Sequence, residues 1–60
     1  MVGKVIVEKV ERGNNCYVLF VRYDQGERKA LKVIANVPPK EGQTLLVCKE
    51  MGVINVLQPL

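Results

Sequence analysis

This sequence predicts an all-β domain: a small five-stranded antiparallel barrel with little or no helix. Three observations carry the prediction. Apolar runs rich in Val and Ile recur along the chain, short Gly, Asn or Pro clusters separate them, and no stretch keeps a helical period. The 60 residues form one domain at most, so 1–60 is read as a single unit with no linker and no internal repeat.

The elements follow in order. The first strand is expected over Val2 to Val10, ended by Gly13-Asn14-Asn15, whose residues tolerate positive φ; the loop can hold two or three residues, which leaves that hairpin's register open. The second strand is Cys16 to Tyr23. After Asp24-Gln25-Gly26 the third starts at Glu27 or Arg28 and runs to Ala35. Pro38 and Pro39 cannot donate to a ladder, so NVPPKEGQ is a loop or corner. Thr44 to Glu50 is the fourth strand, Met51-Gly52 a tight turn, and Val53 to Leu57 the fifth.

Composition narrows the function. A hydrophobic fraction of 48% with 25% charged residues belongs to a folded globular chain. Charges interrupt the apolar residues after Met1, and no segment has the length of a membrane helix, so the expectation is a cytoplasmic protein without membrane contact. The net charge of +3 favours polyanionic partners. There is no histidine and no serine, and no Gly-rich phosphate loop, so an enzyme, a small-molecule substrate, a cofactor and a metal site are not expected. Cys16 and Cys48 lack CxxC spacing and read as free, core-like thiols, with a disulfide as the minor alternative.

If Gln25-Gly26 is a two-residue loop, residues summing to 51 pair across the hairpin. One face then carries Cys16, Val18, Phe20 and Arg22 opposite Ala35, Val33, Leu31 and Lys29, and reads as core. The other carries Tyr17, Leu19, Val21 and Tyr23 opposite Ile34, Lys32, Ala30 and Arg28. That second face, with rings beside cations, suits single-stranded nucleic acid: Tyr17 and Tyr23 stack bases while Arg22, Arg28, Lys29 and Lys32 contact phosphate. It suits a protein contact equally, through Leu19, Val21 and Ile34, and internal packing is a third reading, since a central barrel strand is also apolar on both sides. Apolar residues point both ways in at least three strands, more than one small interior can hide, so a homodimer or a stable partner is expected.

The order of strand, NN-type hairpin, strand, QG hairpin, strand, the segment VPPKEGQTLLV and a last hairpin resembles small nucleic-acid-binding barrels, among them minimal oligonucleotide-binding (OB) and TRAM-type domains; the short third connection also fits an SH3-like barrel. The resemblance implies a non-catalytic protein that binds single-stranded DNA or RNA with little sequence preference. The alternative is a protein-interaction module: a small regulator or inhibitor, or a subunit of a larger complex.

Overall fold

Short β-rich runs joined by turn residues pair with their sequence neighbours first, and the computed structural model, which describes residues 1–60, is built that way. Its strands are β1 (Val2–Arg12), β2 (Tyr17–Tyr23), β3 (Arg28–Val33), β4 (Thr44–Glu50) and β5 (Val53–Pro59). They form one sheet in the order β3-β2-β1-β4-β5, every neighbour antiparallel, curled into a half-barrel with no helix. No helix is therefore long and apolar enough to cross a membrane. β1 is the centre: its later residues pair with β2 and its early ones with β4.

Three turns set the registers. The β2–β3 hairpin departs from the sequence expectation, because its loop is Asp24-Gln25-Gly26 and holds three residues. The Gly26 N–H donates to the Tyr23 carbonyl (2.9 Å), the Tyr23 N–H to the Glu27 carbonyl (2.8 Å), and Gly26 takes φ +98°. This is a turn followed by a left-handed bulge residue, a position that favours glycine. Paired residues consequently sum to 50, as in Tyr17 with Val33 and Leu19 with Leu31. The first hairpin uses four loop residues, Gly13 to Cys16, rather than two or three; Arg12 faces Tyr17 across it and the Gly13 N–H donates to the Cys16 carbonyl (2.8 Å). The last hairpin has the expected two, Met51 (φ 51°) and Gly52 (φ 80°), between Glu50 and Val53. Both positive φ values match the hairpin turn whose twist agrees with its strands.

β1 carries one bulge. Val7 faces Val21, Glu8 is extra, and Lys9 faces Phe20. The inserted residue shifts the alternation by one, so Val5, Val7 and Val10 all turn inward. The core is Val5, Val7, Leu19, Val21, Leu31, Leu45 and Val47, with Val10, Tyr17, Tyr23, Val33, Ile54 and Val56 packed half-buried against it.

Leu19 (0% exposed) and Val21 (1%) lie at the centre of that core, which corrects the expectation that their face is the docking surface. The cause is the register. Moving the pairing by one residue brings Leu31 and Val33 onto the Leu19 side, and that side, now apolar on both strands, is the one that closes over. Val18 and Phe20 turn out instead. Cys16 and Cys48 are free and half-buried, outside the core cluster.

The half-barrel stays unpaired between β3 and β5. An open cleft of about 890 Å³ lies there, floored by Val33, Leu45 and Val56 and walled by Pro38 and Pro39 of the ten-residue link from β3 to β4. That link ends in a Lys40–Gln43 turn with Gly42 at φ +84° and is tied to β1 by the Gly42 N–H on the Val7 carbonyl (2.7 Å).

Two of the left-handed turn positions, Gly26 and Met51, give opposite expectations. A Cβ on Gly26 meets no atom within 4 Å, so Gly26→Ala carries only the conformational penalty and should lower unfolding free energy by about 1 kcal/mol. Met51 is fully exposed with φ 51°, so Met51→Asn should raise it by roughly 0.5–1 kcal/mol, since Asn tolerates that region. Urea denaturation of both variants checks this; equal signs would show that turn conformation does not control these sites.

Candidate nucleic-acid interface

With the core face assigned, the outward side chains of β1, β2 and β3 fall into three rows. Ile6, Arg22 and Arg28 face one another across the strands, then Lys9, Phe20 and Ala30, then Glu11, Val18 and Lys32. Lys4 lies beyond Ile6 on the same side of β1, opposite Leu46 of β4. Phe20 sits at the centre, half-exposed, with the Lys9 ammonium 5.7 Å from its ring centroid. Such a cation over an aromatic face is attracted by the ring quadrupole.

Glu8 organises the first row. As the bulge residue it reaches between two arginines that oppose each other directly, a like-charge pairing that is otherwise unfavourable. Its carboxylate lies 3.4 Å from the Arg22 Nε and accepts a hydrogen bond from the Arg28 Nε at 3.0 Å. One carboxylate thus holds two guanidiniums side by side and leaves a surplus of positive charge.

The distribution of charge is uneven. This face holds five cations, Lys4, Lys9, Arg22, Arg28 and Lys32, against the two carboxylates Glu8 and Glu11. The remaining four cations of the chain are matched by four carboxylates, so the whole net charge of +3 resides here. Lys9 also contacts Glu11 (3.5 Å), both well exposed, a pair that contributes little in water.

The six residues expected to bind nucleic acid are therefore divided. Arg22, Arg28 and Lys32 come together on the outer face. Tyr17, Tyr23 and Lys29 are on the inner one, where Tyr17 and Tyr23 pack against the core and Lys29 pairs with Glu27 (3.7 Å). Tyr23 lies over Gly3, where a Cβ would meet the ring at 3.5 Å, an ordinary van der Waals contact. Sequence reasoning missed Phe20, Lys9, Lys4 and Glu8. The signal available was Gly26, whose place as a third loop residue would have turned Phe20 outward. No three His, Cys, Asp or Glu side chains converge in a way that could hold a metal ion.

No protein-family model, no curated protein and no solved structure matches this chain.

Glu8→Gln tests the arrangement. Arg22 and Arg28 would face each other without a countercharge, lowering stability by about 0.5–1 kcal/mol, and added salt should shrink the loss by screening. A loss that grows with salt, measured by urea denaturation at two ionic strengths, would rule out the electrostatic role of Glu8.

Proposed function

We propose that this chain is a non-catalytic binder of single-stranded DNA or RNA with little sequence preference, and that it binds on the outer face of β1, β2 and β3. The observation that carries the reading is the confinement of the full net charge to one face built around a single half-exposed ring. Phe20 stacks a base. Arg22, Arg28, Lys32, Lys4 and Lys9 neutralise the phosphates on either side, an arrangement that tolerates any base because every base has a π-face. In small partly open barrels of the oligonucleotide-binding type, the face of strands 2 and 3 is the one that carries the nucleic acid. The reading replaces Tyr17 and Tyr23 by Phe20 as the stacking platform and keeps Arg22, Arg28 and Lys32 as phosphate contacts.

The second reading, a protein-interaction module, draws on a different place. Ile34 (86% exposed) and Val37 (77%) stand at the rim of the cleft between β3 and β5, where a regulator, inhibitor or larger complex could dock.

Fluorescence anisotropy with a labelled oligonucleotide separates the two. Three to five phosphate contacts give a slope of about −2 to −3.5 in log affinity against log salt. Phe20→Ala should weaken binding by about 1–3 kcal/mol, and Glu8→Gln should tighten it at low salt, whereas Tyr23→Phe on the inner face should leave it unchanged. Absence of binding at low salt would remove the nucleic-acid reading; loss on Tyr23→Phe with none on Phe20→Ala would place the site on the wrong face.

A further inference from the structure

The two free edges of the sheet differ in a way that selects between them. β3 (Arg28–Val33) carries Arg28, Lys29 and Lys32, and lysines on an edge are a common protection against pairing with another strand. β5 (Val53–Pro59) carries no charge, and two of its large apolar side chains are exposed, Val53 at 58% and Leu57 at 52%. Pairing β3 with a second β3 sets cations against cations. Pairing β5 with a second β5 meets no such repulsion.

We propose that β5 is a self-association edge, joining two copies of this chain across a two-fold axis through Asn55 into one ten-stranded antiparallel sheet. The proposal is independent of nucleic-acid binding. Its register follows from the backbone. The Lys49 N–H donates to the Met1 carbonyl on the β1 side, so by alternation Cys48 and Glu50 turn their peptide groups toward Asn55 and Val53 of β5. Ile54 and Val56 therefore direct theirs outward, unpaired. An axis through Asn55 places Ile54 opposite Val56 of the other copy, so that both pairs exchange hydrogen bonds. The same axis sets the exposed Val53 against the exposed Leu57 of the other copy, on the outer side of both sheets.

Pro59, which has no N–H, and the bulge at Leu57 end the match there, confining it to 53–57. The surface area agrees. The chain exposes 4441 Å², against roughly 3,900 Å² for a compact monomer of 6.7 kDa, an excess of about 500 Å² in a molecule with seven buried residues.

Size-exclusion chromatography with light scattering, run from micromolar to millimolar protein without nucleic acid, tests this. The wild type should reach twice the 6.7 kDa chain mass. Val53→Lys with Leu57→Lys should return it to one chain mass with an unchanged circular dichroism spectrum, since both side chains are exposed. In a background with Cys16 and Cys48 replaced by Ser, Asn55→Cys should cross-link spontaneously, because Cα atoms of a non-hydrogen-bonded antiparallel pair stand about 4.5 Å apart, within disulfide reach. A wild type that stays monomeric throughout, a dimer that forms only with added oligonucleotide, or a dimer untouched by the lysine pair would each overturn the proposal.

Discussion

Gly26 lies in the left-handed region as the third residue of its loop, and this one backbone choice places Glu27 rather than Arg28 across from Tyr23. Because side chains alternate with a period of two, that choice decides which face of β3 carries Leu31 and Val33. Once they share a side with Leu19 and Val21, burial is settled. The hydrophobic effect acts on the apolar side of a two-strand unit, and only one of the two sides is now apolar on both strands. Arg28, Ala30 and Lys32 are left to the solvent side, where Val18, Phe20 and Arg22 join them. The core and the candidate interface are thus two outcomes of the same turn.

The bulge at Glu8 couples packing to charge in a similar way. Without an extra residue in β1, the alternation set by Val5 and Val7 would turn Lys9 inward and Val10 outward. The insertion keeps Val10 against the core and, in the same step, puts Glu8 and Lys9 side by side on the outer face. Glu8 then meets Arg22 and Arg28, and Lys9 meets Phe20. The electrostatic pattern of that face therefore depends on a local backbone irregularity as much as on which charged residues the chain contains.

The architecture was legible because its signals are local. Turn clusters at Gly13, Gly26 and Gly52 and the prolines at 38 and 39 mark the strand ends, and the five strands are found within a few residues of where they were expected. β1 continues to Arg12 and β5 to Pro59, while β3 stops at Val33 instead of Ala35. The faces were less legible. Val18 and Phe20 are as apolar as Leu19 and Val21, so composition alone cannot choose between them, and the choice rested on counting a loop as two residues when it has three. Glu8 was hidden for a related reason: Val5, Ile6 and Val7 are all apolar, so the run shows no alternation for a bulge at Glu8 to interrupt. Arg28 and Lys32 share a face of β3 in either register, being four residues apart, whereas Arg22 joins them only in the observed one.

The central position of β1 also bears on how the chain assembles. Its contacts with β2 close within a hairpin, but its contacts with β4 join residues 38 to 46 positions apart, as in Ile6 with Thr44 and Val2 with Cys48. Closing that span costs more chain entropy than closing either hairpin, so the β1–β2–β3 meander and the β4–β5 hairpin are the pieces available early. Docking them along β1 closes the longest span in the sheet, across a link that contains two consecutive prolines. Leu45 and Val47 reach the core only through that pairing, so the inner face of the β4–β5 hairpin has no cover of its own.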